Sequence, residues 1–281
     1  MSSLAPHGEA SMIELPDSVR GDRGEALSVL GVTVRYGATT ALDGLDLSAM
    51  DGQVTAVIGP NGSGKTTFLN AVTGAVPITA GDISVFGTTM EKLTPGHVHR
   101  MGISRTFQNL ELVDDLTVED NVRLGAKSTT NATAFEAALR LPRSFGEARR
   151  RHESALAALE AVGIPELSAT RVSALSYGTR RRVEVARALA GDPRVLLLDE
   201  PTAGMGPADT AEFSALIADL RKRGLTIVVV EHDMAVVRAV VDKVYVLSAG
   251  RLIASGQPAD VLQDSEVKRL YLGDLEVATD A

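Results

Sequence analysis

The chain has 281 residues, 44% of them apolar, enough to bury the core of one large domain or two small ones. A formal charge of −8 and an aromatic content of 4% exclude a basic nucleic-acid coat and a base-stacking platform for single strands. With no cysteine there is neither a disulfide framework nor a thiolate metal site.

Residues 1–25 are polar, with scattered glycine, proline and charge and no apolar segment of signal-peptide length. They read as a flexible tail. Over residues 27–58 apolar residues alternate with others, as in Leu27, Val29, Val32, Val34 and Tyr36, then Leu45 and Leu47. That period predicts strands, punctuated by Gly31, Gly37 and Gly44 and turned at Asp51-Gly52.

An apolar stretch then runs into Gly59-Pro60-Asn61-Gly62-Ser63-Gly64-Lys65-Thr66-Thr67. This fits G-x-x-x-x-G-K-[ST], the phosphate-binding loop between a strand and a helix. Its glycines let the backbone wrap round an anion with successive N–H groups pointing inward. Lys65 reaches the β- and γ-phosphates of a nucleoside triphosphate, and the Thr66 hydroxyl can ligate Mg²⁺.

A short strand is expected at residues 83–86, between Gly81 and Gly87. Residues 109–171 change texture to Ala-, Leu-, Glu- and Arg-rich with helical periodicity, which predicts a helical insertion. Pro142 and Gly146 are expected to break it, and Arg149-Arg150-Arg151 to form a solvated helix face. Leu175-Ser176-Tyr177-Gly178-Thr179 opens a helix expected from near Arg180 to Ala190, ended by Gly191-Asp192-Pro193. Serine and glycine at a helix N-terminus can form an anion site from free N–H groups, a hydroxyl and the helix dipole.

Residues 195–198 are uniformly apolar, the mark of a strand buried on both faces, and they end in Asp199-Glu200. Beyond the carboxyl end of such a strand Asp199 can hold Mg²⁺, directly or through water, and Glu200 can polarise an attacking water. A helix at 211–223, a second buried strand at 227–230, a helix at 234–241 and a hairpin of 244–247 with 252–254 complete the pattern. Strands alternating with helices imply a mostly parallel sheet with helices on both faces. Apolar runs of four residues, as at 195–198 and 227–230, fall far short of the ~20 of a membrane-spanning helix.

Taken in order, the phosphate-binding loop, the LSxG element and the LLLDEP strand end resemble the ATP-binding-cassette (ABC) ATPases, over almost the whole chain from Leu27 to Gly273. The resemblance implies an α/β P-loop NTPase cassette with an N-terminal antiparallel β subdomain and a helical subdomain inserted in a mostly parallel core. It divides the chain into a tail at 1–25 and one domain at 26–275. Within that domain the core is 26–108 and 172–257, the helical subdomain about 109–171, and a C-terminal tail helix 258–275. The implied ligands are ATP and Mg²⁺.

Position by position, Tyr36 matches the aromatic that stacks on adenine, and His232 the histidine that contacts the γ-phosphate. Gln108, within Arg105-Thr106-Phe107-Gln108, matches the glutamine that touches Mg²⁺ or the lytic water and senses the transport partner. Two cassettes of this family face head to tail, so Ser176 and Gly178 would act on the nucleotide held by the Lys65 loop of the other copy.

Two stretches depart from the usual pattern. LSGGQ reads LSYGT here, and the SALD loop after the acids reads Ala203-Gly204-Met205-Gly206. Neither removes a group needed for phosphoryl transfer.

Four segments narrow the resemblance: SRTFQN at 104–109, LSYG at 175–178, VEHDM at 230–234 and RLYLG at 269–273. Together they are similar to the ATP-binding subunits of branched-chain amino acid importers. Closely similar cassettes serve urea and short-chain amide uptake, and a non-transport cassette of a soluble assembly shares every catalytic motif. The partners implied are a second cassette, either another copy or a paralogue, and integral-membrane permease subunits, with an extracytoplasmic solute-binding protein acting indirectly and no nucleic acid. The place implied is the cytoplasmic face of the membrane, as a peripheral subunit.

Overall fold

The computed structural model describes residues 24–90, 93–106, 111–126 and 142–270, the side chains of 142–145 excepted. Residues 1–23 of the tail expected at 1–25, Gln108, the Tyr271-Leu272-Gly273 end and much of the 109–141 stretch lie outside the described residues, and Glu25 already belongs to the first strand.

Alternation builds the first sheet. β1 (Glu25–Tyr36) and β2 (Thr39–Met50) pair antiparallel, and β4 (Ala80–Val85) and β5 (Thr88–Thr89) extend the sheet in the order β2-β1-β4-β5. Gly31 and Gly44 do not end strands as expected. Both sit inside 12-residue strands at positive φ (59° and 62°), beside register shifts, so they form bulges rather than breaks. The bulges are held from the side: the Gly31 N–H donates to Asp46 Oδ1 at 2.7 Å and the Gly44 N–H to Thr33 Oγ1 at 3.1 Å.

The second sheet has β3 (Val54–Ile58), β6 (Ile103–Arg105), β7 (Val195–Asp199), β8 (Thr226–Val230), β9 (Lys243–Ser248) and β10 (Arg251–Gly256). Its order is β10-β9-β3-β8-β7-β6. Every pair is parallel except the terminal β9–β10 hairpin.

The period of two decides how this sheet is covered. Val54, Ala56, Ile58, Leu196, Leu198, Ile227 and Val229 pack into one core, and Val57, Val195, Leu197, Val228 and Val230 into another. The first core is closed by α5 (Tyr177–Leu189), α6 (Pro207–Lys222) and α7 (Met234–Val240). The second lies between the two sheets, where Leu42, Leu45 and Leu47 of β2 meet Phe68 and Leu69 of α1 (Lys65–Val72). That is why β3, β7 and β8 are buried along their whole length and almost wholly apolar, whereas β1 and β2 alternate.

Smaller helices are α2 (Pro95–Arg100), α3 (Val118–Arg123) and α8 (Pro258–Val261). The expected break at Pro142 and Gly146 is corrected by α4 (Pro142–Ala161), a continuous helix of 20 residues. Proline opens it, where a missing N–H costs nothing, and glycine costs about 1 kcal/mol inside a helix. Ala155, Leu159 and Val162 offset that by packing on Val118, Val122 and Val183. Arg149 and Arg150 of α4 are exposed, and Arg149 Nε and Arg151 Nη2 reach Glu153 and Glu147 at 2.7 and 2.8 Å. Among the described residues no helix is long and apolar enough to cross a membrane.

Candidate functional site

The site is assembled at the carboxyl ends of three neighbouring strands, β3, β8 and β7. β3 is buried throughout and delivers the chain into the glycine-rich turn. Gly59, at φ 149°, lies so close to β9 that a Cβ would sit 2.1 Å from the Leu247 carbonyl oxygen. Gly64, at φ 106°, caps α1, and a Cβ there would meet the Ala41 carbonyl at 2.9 Å. No side chain caps α1, so its first N–H groups remain open to an anion. The Ser63 hydroxyl is buried without a hydrogen-bond partner in the same turn. A cradle that a Cβ would fill, open amides and an orphaned hydroxyl all fit a phosphate chain.

Lys65 folds back over the turn. Its Nζ donates to the carbonyls of Gly59 at 2.7 Å and Pro60 at 2.9 Å, which aims the ammonium across the loop. Burial pushes its pKa below the ordinary lysine value, while Glu200 and then Asp199 oppose that shift. Those two influences place the acids within electrostatic reach of Lys65, although β8 intervenes between β3 and β7. Asn61, Gly62 and Thr66 are exposed at the rim, with Pro60 and Thr67 half-buried.

Asp199 is still within β7, one residue beyond the expected strand end, and is 3% exposed. Glu200 follows in the left-handed region at φ 44°, its N–H donating to the Val230 carbonyl at 2.9 Å. Such a conformation for a non-glycine residue costs of order 1–3 kcal/mol and turns the side chain out of the strand direction. It leaves Glu200 Oε2 4.0 Å from Nδ1 of the exposed His232. Thr66 and Asp199 present hard oxygen donors, the chemistry a Mg²⁺ ion takes.

Tyr36 ends β1 and is 49% exposed, by the hairpin whose Ala41 touches Gly64. Ser176 caps α5, which starts at Tyr177 and not near Arg180, because the serine Oγ accepts from the Thr179 N–H at 3.3 Å. The side-chain hydrogen bonds of Ser176 stay within its own turn, on Thr179. Gly178 packs beside Asp209 of α6, where a Cβ would sit 3.4 Å from Cγ.

Sequence reasoning missed three supports. Arg105 ion-pairs with Asp199 at 2.7 Å. Tyr177, which replaces a glycine of the usual motif, donates from its hydroxyl to the Ala203 carbonyl at 3.0 Å and accepts from Arg181 at 2.9 Å. Glu231 is fully buried. Its Oε1 accepts from Thr202 N and Oγ1 at 3.2 and 2.5 Å, and its Oε2 from the N–H groups of His232 and Asp233 at 3.0 and 3.2 Å.

One signal could have found Glu231: like Asp199, it follows a run of four apolar residues without a break. It ties the loop after Glu200 to the backbone of His232. Glu231→Ala leaves those donors unpaired, and each buried orphan costs about 1–3 kcal/mol. We expect urea unfolding to show a loss of at least about 2 kcal/mol, with Glu231→Gln losing less because it keeps one acceptor.

A profile of the "ABC transporter" family matches residues 42–203. The chain is 36% identical over 250 residues to the high-affinity branched-chain amino acid transport ATP-binding protein BraF of Pseudomonas aeruginosa, covering 88% of this chain and 98% of that protein. The Escherichia coli K12 protein of that description, LivG, gives the same figures. The lipopolysaccharide export system ATP-binding protein LptB of E. coli K12 is 34% identical over 249 residues, covering 88% and 97%. Among solved structures, the ADP conformation of MJ1267, an ATP-binding cassette of an ABC transporter, superposes with a TM-score of 0.78 at 30% identity, covering 89% of this chain and 99% of that one. The dimeric structure of MJ0796, a bacterial ABC transporter cassette, does so at 0.67 and 26%, covering 83% and 98%.

Proposed function

The chain belongs to the ABC transporter family of ATP-binding cassettes, and from that premise we propose that it energises import of branched-chain amino acids through separate membrane permeases. As an ABC cassette it is an ATPase. The observation that carries the reading is the convergence of Lys65, Asp199, Glu200 and His232 at the carboxyl ends of neighbouring strands, in a chain that aligns over 88% of its length with a branched-chain amino acid cassette.

The residues act by position and charge. The loop from Gly59 to Thr67, through the backbone N–H groups of all its residues but Pro60, and the Lys65 ammonium grip the triphosphate, with Tyr36 against the adenine. Glu200 accepts a proton from the attacking water at its carboxylate, and His232 steadies the γ-phosphate. Thr66 and Asp199, with Gln108, would hold Mg²⁺, which supplies charge neutralisation of the phosphate oxygens when bound.

Ser176 and Gly178 would complete the nucleotide pocket of a second cassette, in the head-to-tail pairing that the family resemblance implies. Triphosphate then bridges two subunits, and its hydrolysis releases them. That pair, seated on permeases at the cytoplasmic face, would power the passage through them of solute delivered by an extracytoplasmic binding protein.

The likeness to an export-system cassette gives one rival, in which the cargo moves outward. Reconstitution in liposomes with the permease subunits that co-purify with it tests both. Leucine-loaded binding protein added outside is expected to stimulate ATP hydrolysis and leucine uptake. Stimulation by urea or an amide instead would reassign the solute, and response to no external solute would overturn import.

A further inference from the structure

Arg105 is a motif residue with no part in the mechanism above, yet it contacts the metal-side carboxylate. It ends β6, whose pairing with β7 sets it opposite Leu197 and carries its side chain beneath the site. One arm, Nη2, donates to Asp199 Oδ2 at 2.7 Å, and the other, Nη1, to Asn70 Oδ1 of α1 at 2.7 Å. The two charged side chains are 8% and 4% exposed.

We infer that Arg105 is a placeholder cation: it neutralises Asp199 until a divalent ion arrives and competes with that ion for the carboxylate, setting the metal concentration at which the site grips ATP. This rests on the reading of Asp199 as a metal-holding carboxylate. A buried carboxylate stands only if paired, and the pairing found is a guanidinium, whose charge no accessible pH removes. The planar fork spans two acceptors at once, so Arg105 stays tied to α1 through Asn70 while Asp199 changes partner. Oδ2 is the oxygen the ion pair engages, so a divalent ion meets a carboxylate already shared. Competition of this kind is a linkage: whatever the ion loses to Arg105 in affinity, Arg105 loses to the ion.

A buried ion pair with a purely structural role predicts lower stability on mutation and no gain in metal affinity, and that contrast supplies the test. Mg²⁺ is titrated into wild type, Arg105→Met, Arg105→Gln and Arg105→Lys in the presence of a fluorescent ATP analogue. Thermal unfolding is followed with and without Mg²⁺.

Arg105→Met is expected to lower the Mg²⁺ half-saturation about fivefold or more, the lower end of ordinary site coupling. Its metal-free Tm should fall, and its Tm gain with Mg²⁺ and nucleotide should exceed that of wild type. Arg105→Gln keeps a polar bridge without the charge and should shift half-saturation the same way, which preserves the test if the methionine variant does not fold. Arg105→Lys keeps the charge and cannot span both acceptors, so its half-saturation should stay near wild type while its Tm falls. Unchanged or weaker Mg²⁺ binding in both uncharged variants overturns the inference and leaves the ATP site intact. A wild type that binds no nucleotide with or without Mg²⁺ would bring down the ATP reading itself, and this inference with it.

Discussion

Glu200→Gln is expected to bind ATP, turn it over 10²–10⁴-fold more slowly and accumulate as an ATP-held pair of cassettes. General-base assistance is worth that factor, about 3–5 kcal/mol of barrier. The substitution is close to isosteric and removes only the ability to take a proton. Glu200 sits in a left-handed conformation stabilised by its N–H bond to Val230, with its carboxylate 4.0 Å from His232. Those backbone features do not depend on the side-chain charge, so the fold should survive. Phosphate release measures the rate, and light scattering on a sizing column with Mg²⁺ and ATP measures the assembly. Wild-type turnover in this variant would move the base to another residue.

Lys65→Ala should raise the Kd for ATP at least tenfold, about 1.4 kcal/mol, because charge-assisted hydrogen bonds contribute about 1.5–3 kcal/mol each. The ammonium is already aimed by the Gly59 and Pro60 carbonyls, so little ordering cost offsets the phosphate contact. The same residue sets an alkaline limit. Burial, opposed by Glu200 and Asp199, holds its pKa below the ordinary lysine value. As pH rises through that lowered value the free protein loses the Lys65 proton, and ATP binding must restore it. Wild-type affinity should therefore weaken at a lower pH than an exposed lysine would dictate, and the Lys65→Ala profile should lack that step. Titration calorimetry at a series of alkaline pH values reads both. An unchanged Kd in the variant would remove Lys65 from the phosphate site.

Much of the site is local in the chain, and that made it legible. A glycine-rich turn after an apolar strand needs no distant residue to present its amides. Two acids at the end of four buried residues declare themselves by contrast. The strands were legible from the period of two, although Gly31 and Gly44 read as stops and proved to be bulges. Alternation continues across a bulge while the glycine signal argues for a turn, so local rules pulled in opposite directions. Gly146 misled in the same way, because packing of α4 on α3 and α5 outweighs a propensity of about 1 kcal/mol.

The amino-acid sequence alone determined which groups can do chemistry: an amide cradle with Lys65, the acids Asp199 and Glu200, the serine cap at Ser176. Each is a property of a few adjacent residues. Only the tertiary structure decided which distant side chains hold them in place. Arg105 meets Asp199 because β6 lies beside β7, and Glu231 holds Thr202 because β8 lies beside β7. Tyr177 reaches Ala203 because α5 packs near the loop that follows β7. Strand order and register are set by the summed burial of two cores, and a shift of one residue in β6 or β7 would turn Arg105 or Asp199 to the opposite face.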